Sequence, residues 1–113
     1  MASILEFKPR PPSIEEALGL DCIAGIVEIE PAFLKRRMAS GRSVGRLQEQ
    51  RLVKLYRIWD ELQDLFTIDG AVEWMHKPHP ALSGRSPKEV MQDDGGLDRV
   101  LDEIGRMKWG IPG

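Results

Sequence analysis

The stretch VGRLQEQRLVKLYRIWDELQDLF, residues 44–66, decides the fold because it is long and strongly periodic. Its apolar side chains recur every three or four residues, which is the spacing of one face of an α-helix. That face comprises Leu52, Leu55, Tyr56, Trp59, Leu62 and Phe66. Another face carries Arg51, Lys54 and Arg57. We therefore predict a long helix over residues 44–66 that lies at the centre of the core.

Shorter helices are predicted on both sides of this central helix. Ser13 and Asp21 are candidate N-caps for two short helices. Pro31 fits the first position of a third helix, and Gly41 ends it. After a break at residues 67–70, the segment AVEWMHKP predicts a further helix. Because no segment alternates between apolar and polar residues, the predicted fold class is all-α, with about seven short helices.

The stretch PALSGRSPKEVMQDDGGLDRV, residues 80–100, predicts two more of these helices. Ser86 is a good N-cap, Pro87 fits the first helical position, and Glu89 completes a capping box. The glycines of the following Asp-Asp-Gly-Gly run end this helix because they adopt positive φ angles readily. The last helix then begins near residue 97. Its apolar stripe comprises Leu97, Val100, Leu101, Ile104 and Met107.

The length and composition of the chain fit one small globular domain. The chain has 113 residues, of which 42% are hydrophobic and 30% charged, an ordinary balance for a folded domain. The single Cys22 cannot form an intrachain disulfide, which fits a reducing cytoplasm. No apolar run reaches the roughly 18 residues that a membrane span needs. We therefore predict a cytoplasmic protein that does not enter a membrane.

Three parts are predicted along the chain. Residues 1–12 are proline-rich and predict an extended or disordered arm. Residues 13–66 form a helix-turn-helix-like region, and residues 67–113 form a C-terminal helical subdomain. Charge is also divided: residues 35–57 hold eight basic side chains and one acidic, a net +7. Such a basic belt favours an anionic partner, although it also fits the solvated face of an ordinary helix.

A helix-turn-helix is predicted in IAGIVEIEPAFLKRRMASG, residues 23–41. Ala24 fits the crossing of two helices, Ile29 fits an inward-pointing turn, and Leu34 fits the inner face of the second helix. This spacing resembles the helix-turn-helix of Xre-like phage repressors. The candidate DNA-binding residues are Lys35, Arg36, Arg37, Arg42 and Arg46. Glu28 and Glu30 depart from that pattern, because they replace a turn glycine and a Ser or Thr cap and add negative charge.

No pattern for catalysis or metal binding stands out. His76 and His79 flank a bend, but zinc needs three or four ligands, and structural histidines are the better interpretation. The adjacent Asp93 and Asp94 point apart and are interpreted as turn residues. A glycine-rich phosphate loop and an activated nucleophile are both missing from the sequence. We predict a binding protein, not an enzyme, with no cofactor and no metal.

From Trp74 onward the sequence contains a tryptophan, a proline bend, Ala-Leu, Gly-x-Ser-Pro, a glycine and a closing apolar helix. These features are carried by Trp74, Pro78, Ala81, Leu82, Gly84, Ser86, Pro87, Gly96, Val100 and Ile104. This pattern resembles the toxin-binding domain of the MbcA/ParS/Xre antitoxins. The upstream helices fit as well, so the resemblance spans about residues 13–110.

The resemblance implies the antitoxin of a type II toxin-antitoxin system, which covers the active site of a RES-domain toxin that consumes NAD or transfers ADP-ribose. It implies a homodimer within a toxin-antitoxin hetero-oligomer, and it is compatible with binding to its own operator DNA. The candidate toxin-binding residues are Arg85, Lys108, Trp109, Gly110, Ile111, Pro112 and Gly113. A stand-alone helix-turn-helix transcriptional regulator, without an enzyme partner, is the alternative.

Overall fold

Seven α-helices and one short 3-10 helix make up residues 13–110, the part of the chain that the computed structural model describes. That range contains no β-strand, so the all-α prediction is confirmed. The predicted arm, residues 1–12, lies outside the described residues. The helices are α1 (Ile14–Leu18), α2 (Leu20–Val27), α3 (Pro31–Ser40), α4 (Arg46–Leu65), α5 (Ile68–His76), the 3-10 helix (Pro80–Leu82), α6 (Pro87–Val90) and α7 (Gly96–Trp109).

The long helix α4 lies at the centre of the core, as the sequence predicts. It packs against α2, α5 and α7. Its buried residues are Leu52, Leu55, Ile58, Trp59 and Leu62. Tyr56 and Phe66 do not belong to the buried face: Tyr56 is exposed and Phe66 is only partly buried against the core. Tyr56 stays at the edge because its hydroxyl bonds to Glu15 of α1, with the two oxygens 3.0 Å apart.

Two helix boundaries differ from the sequence predictions. Gly19, with φ 88°, precedes α2, so Asp21 lies in the first turn of that helix instead of capping it. The break predicted at residues 67–70 is shorter than expected: Phe66 and Thr67 are extended, but α5 begins at Ile68 and includes Gly70. The Thr67 hydroxyl accepts a hydrogen bond from the Gly70 amide at 3.1 Å and caps the helix.

Helices α2 and α3 form the helix-turn-helix topology that the sequence predicts. Ala24 and Leu34 are buried, and Ile29 in the turn packs partly against the core. Glu28 takes the left-handed conformation that glycine usually supplies, with φ 60° and ψ 56°. Glu30 caps α3, since its side chain accepts a hydrogen bond from the Phe33 amide at 3.0 Å. Both glutamates therefore occupy the structural positions where the motif normally has other residues.

Two ion pairs show that α4 and α7 run parallel. Lys54 of α4 pairs with Asp98 of α7 at 2.9 Å, and Asp64 of α4 pairs with Lys108 of α7 at 3.4 Å. The two partners on each helix are ten residues apart in the sequence, and the order is the same on both helices. Ten residues of α-helix rise about 15 Å. The two helices are therefore aligned in the same direction and in the same register.

One hydrophobic core joins the helix-turn-helix to the C-terminal helices. Ile14 of α1 and Ile104 of α7 belong to the same cluster of buried residues. The boundary predicted at residues 66 and 67 stays a prediction. Because the core is shared, a single packed unit carries the candidate surfaces of both parts of the chain.

Candidate functional site

The loop between α5 and α6 is held in a closed turn by its own backbone. The His79 amide donates to the Arg85 carbonyl at 3.1 Å, and the Gly84 amide donates to the His79 carbonyl at 2.9 Å. Ser83 and Gly84 both have positive φ angles, 60° and 76°. These contacts fix the backbone of Arg85 at the end of the turn.

Trp74 and His79 anchor this loop to α5. Their rings lie 4.8 Å apart between centroids, and the His79 Nε2 atom is 2.9 Å from the Trp74 carbonyl oxygen. Trp74 is itself buried in the core. His79 is therefore a structural residue that ties the loop to a core tryptophan, which agrees with the structural interpretation of the sequence. Within residues 13–110 no three His, Cys, Asp or Glu side chains are grouped so that they could hold a metal ion.

The capping box at the start of α6 is confirmed. The Glu89 amide donates to the Ser86 hydroxyl at 3.2 Å, and the Ser86 amide donates to the Glu89 carboxylate at 3.0 Å. The Ser86 backbone and hydroxyl hydrogen bonds lower the pKa of the Glu89 carboxyl below its usual value. Because Ser86 follows Arg85 directly, the cap also fixes the C-terminal side of the Arg85 loop.

Arg85 does not extend freely from this loop. Its guanidinium pairs with the Asp93 carboxylate through both terminal nitrogens, and the Nη2 to Oδ1 distance is 3.2 Å. Nη2 also lies 3.5 Å from the Glu89 carbonyl oxygen. The hydrogen bond from Arg85 lowers the pKa of Asp93, and the same bond raises the pKa of Arg85. Both side chains remain substantially exposed to solvent, at 42% and 45%.

The role of Asp93 is the feature that the sequence interpretation missed. The sequence places Asp93 only in the turn after α6, whereas its carboxylate holds Arg85. The two residues are eight positions apart and flank a short helix. Both residues lie outside the four residues of α6, one before its N-cap and one after its C-cap, so helical periodicity does not predict that they meet.

Trp109 forms a second exposed feature at the other end of α7. Its side chain is 76% exposed, the highest exposure among the large apolar residues of the described range. Gly110 follows with φ 63° and ends the helix. Lys108 is bound to Asp64 of its own chain. The remaining candidate toxin-binding residues, Ile111, Pro112 and Gly113, lie outside the described residues.

The predicted toxin-binding residues therefore do not form one cluster. The Arg85 loop contacts the start of α7, because Arg99 Nη2 donates to the Ser83 hydroxyl at 3.1 Å. Trp109 lies ten residues further along the same helix, a rise of about 15 Å. The Arg85 loop therefore lies near the start of α7, whereas Trp109 lies at its end.

The candidate DNA-binding residues form a separate basic surface on α3 and the segment after it. Lys35, Arg36, Arg42 and Arg46 are exposed, and Arg37 is half-buried. The Phe33 ring lies under two of these cations, with the guanidinium carbon of Arg37 4.7 Å and that of Arg36 5.8 Å from the ring centroid. None of the five cations forms an ion pair with another residue of 13–110. Their charge is available to an anionic partner.

The described helices include none that is both long and apolar enough to cross a membrane. The family model of the antitoxin Xre/MbcA/ParS C-terminal toxin-binding domain matches residues 61–110. This range contains the Arg85 loop, the capping box and the whole of α7.

Whole-chain comparisons agree with that match. The mycobacterial cidal antitoxin MbcA of Mycobacterium tuberculosis is 34% identical over 98 residues, covering 85% of this chain and 86% of the relative. The antitoxin Xre of Yersinia enterocolitica is 33% identical over 82 residues, covering 71% of this chain and 55% of the relative. The chain therefore belongs to the Xre/MbcA/ParS family of antitoxins.

A solved relative shares the fold. The crystal structure of the Mycobacterium tuberculosis MbcT–MbcA toxin-antitoxin complex matches with a TM-score of 0.66 and 33% identity, covering 88% of this chain and 90% of that chain. The relative in that complex is bound to a toxin. The described fold of this chain is thus one that a toxin-bound antitoxin adopts.

Proposed function

We propose that the protein is a cytoplasmic type II antitoxin that neutralises a RES-domain toxin, an enzyme that consumes NAD or transfers ADP-ribose. It acts as a binding protein and covers the active site of the toxin. The observation that carries the proposal is the exposure of Trp109 on the last turn of α7, within the segment that matches the toxin-binding family model. A large aromatic side chain on a fixed helix end is a typical interface anchor.

The contact is proposed to involve the end of α7 and the residues after it. Trp109 supplies apolar area at the end of the helix, which Gly110 terminates with φ 63°. Toxin contact by Ile111, Pro112 and Gly113 stays a prediction from the sequence. Arg85 adds a guanidinium, whose fork matches a carboxylate. The ammonium group of Lys108 is paired with Asp64. Lys108 is therefore proposed to contact the toxin through the rest of its side chain, beside Trp109.

The test is co-expression of the chain with the protein encoded by the neighbouring gene, followed by affinity purification and measurement of NAD in the cells. The intact chain should form a stable complex and preserve NAD. Deletion of residues 108–113 should let the toxin deplete NAD. Trp109→Ala, which does not shorten α7, should cause a smaller depletion. The proposal is wrong if no partner co-purifies and NAD is unaffected by either variant.

We propose operator binding as a second activity of the same protein, carried by the basic surface of α3. The support is the set of five cations without ion pairs in the described range, two of them over the Phe33 ring. Reversal of charge at Lys35, Arg36 and Arg37 should abolish binding to promoter DNA, with a steep salt dependence in the intact protein. Lys77→Glu, a change on an exposed residue of another region, is the matched control.

This experiment also separates the antitoxin from the stand-alone regulator. The antitoxin proposal expects the charge-reversed variant to protect NAD as well as the intact chain does. If the protein is instead a stand-alone regulator, it should bind DNA specifically by itself and have no enzyme partner. Loss of both DNA binding and NAD protection on charge reversal contradicts the division between the two surfaces.

We also propose that the protein is a homodimer through its helical N-terminal region. The support is two exposed apolar side chains of α4, Leu47 at 54% and Val53 at 64%. Light scattering of the intact protein should give twice the chain mass. Val53→Asp should shift the protein toward the monomer if this part of α4 is the contact, and an unchanged dimer assigns the contact to another surface.

A further inference from the structure

The Arg85–Asp93 pair combines fixed backbones with movable side chains. The Arg85 carbonyl and amide are both used in the closed loop, and the Ser86 cap follows directly. The Asp93 amide donates to the Val90 carbonyl at 2.9 Å, and the Asp93 carbonyl accepts from the Gly96 amide at 3.0 Å. Neither residue can change its place without breaking these bonds. The side chains themselves lie at the surface and rotate without disturbing the core.

An exposed ion pair of this kind contributes little to stability, because water already solvates both charges. Exchange of one carboxylate partner for another at the same guanidinium is therefore close to neutral in free energy. The planar fork of an arginine binds two oxygens of any carboxylate that approaches in its plane. Asp93 shows that the Arg85 fork is oriented for a two-oxygen partner in the free protein.

A second cation is available to Asp93 when Arg85 leaves. Arg99, at the start of α7, is held by the Ser83 hydroxyl at 3.1 Å. Its charge also lowers the pKa of Asp93, after the larger effect of Arg85. Asp93 is therefore not left as an isolated charge after the exchange.

We propose that Asp93 is an internal stand-in for a carboxylate of the toxin, and that Arg85 exchanges Asp93 for that carboxylate when the complex forms. The proposal rests on the proposed function, because it names a group on the toxin that the Arg85 loop recognises. It assigns two roles to one site. In the free protein Asp93 keeps the guanidinium oriented, and in the complex Asp93 is the competitor that the toxin displaces.

The test measures binding of the full chain to the toxin recovered by co-purification. Asp93→Asn keeps the shape of the side chain and removes the charge that competes, so binding should become about 1.5- to fivefold tighter, the range of one exposed ion pair. Arg85→Gln should weaken binding by a similar or larger factor. In the Arg85→Gln background, Asp93→Asn should have no further effect, because the competition needs the arginine.

A second measurement separates exchange from a purely structural clasp. The carboxyl pKa of Asp93, followed by carbon NMR, should be low in the free protein and should rise when the toxin binds. A structural clasp predicts the opposite pattern: an unchanged Asp93 pKa in the complex, with weaker binding for both Asp93→Asn and Arg85→Gln. Either of those results overturns the proposal.

Deletion of residues 108–113 keeps the two proposals distinguishable. If this deletion abolishes NAD protection while Asp93→Asn and Arg85→Gln leave toxin affinity unchanged, the antitoxin function stands and the exchange at Arg85 is wrong. If no toxin binds the intact chain, the proposed function itself fails, and the Asp93 pKa of the free protein then reports only on the clasp.

Discussion

Gly96 lies against the carbonyl of Val90 so closely that a Cβ atom at position 96 would be 1.7 Å from the Val90 oxygen. The obstacle is backbone, which cannot rotate away as a side chain does. Gly96→Ala should therefore displace the start of α7 from α6 and lower the free energy of unfolding by about 2–3 kcal/mol or more. Urea unfolding followed by circular dichroism measures the change.

Gly105 is the matched control for that substitution. It lies in the same helix, and an added Cβ meets nothing within 4 Å. Gly105→Ala should raise the free energy of unfolding by about 0.5–1 kcal/mol, because alanine is the better helix former. Equal effects of the two substitutions would mean that α6 and α7 do not approach each other as described.

The turn of the helix-turn-helix offers a stabilising substitution. Glu28 is held at φ 60°, where a side chain is strained. Its 57% exposed carboxylate pairs at 3.2 Å with Arg51, whose guanidinium also donates to the Ile26 carbonyl and keeps that partner when Glu28 is removed. Glu28→Gly should raise the free energy of unfolding by about 0.5–1 kcal/mol, since the relief of strain exceeds the loss of the pair. Glu28→Gln keeps the strain and loses the charge. It should destabilise by less than about 0.5 kcal/mol in the same unfolding assay.

Ionisation of Tyr56 should make the protein less stable at alkaline pH. Partial burial, followed by the charge and hydrogen bond of Glu15, raises the pKa of Tyr56 to about 12 from 10.0. A raised pKa in the folded state means that folding holds the proton more tightly. The stability that protonated Tyr56 contributes to the fold is therefore fully present below pH 10 and is lost as the pH rises toward 12.

Tyr56→Phe is the control for this titration. Because Tyr56 is the single tyrosine of the chain, the ultraviolet absorbance of the phenolate reports its ionisation directly. The difference in unfolding free energy between the intact protein and Tyr56→Phe should shrink across that pH window. An ordinary tyrosine midpoint in the folded protein contradicts the Glu15 contact.

Trp109 and Trp74 should respond in opposite ways to truncation. Trp74 is buried and stacked on His79, so Trp74→Ala should cost about 3–5 kcal/mol of unfolding free energy. Trp109 is largely exposed, so Trp109→Ala should change that free energy by no more than about 0.5 kcal/mol. Thermal unfolding of the two variants gives the comparison. A large destabilisation by Trp109→Ala would mean that Trp109 packs on its own chain and is not a free anchor.

Local rules account for the parts of the fold that the sequence predicts well. The Ser86 and Glu89 capping box, the start of α3 at Pro31 and the long helix α4 each depend on residues within a few positions of one another. The start of α5 is missed because a glycine at position 70 favours a break. The contrary signal is Thr67, which stands three residues before Gly70 and caps the helix.

Contacts between distant residues account for what the sequence does not predict. Tyr56 has the periodicity of a buried residue, but its hydroxyl needs a partner, and that partner is Glu15, far earlier in the chain. The ion pair of Asp93 with Arg85 depends on how a four-residue helix and two turns are placed in space. Periodicity and capping rules contain no information about such placement.

The two ion pairs between α4 and α7 have reversed signs at the two positions, with a lysine of α4 at one and an aspartate of α4 at the other. An antiparallel arrangement of the same two helices would bring Lys54 toward Lys108 and Asp64 toward Asp98. Repulsion between like charges therefore disfavours the antiparallel arrangement, while the observed pairs favour the parallel one by a small amount. The four charges add to the apolar packing in selecting the parallel orientation, and with it the end of the molecule at which Trp109 lies.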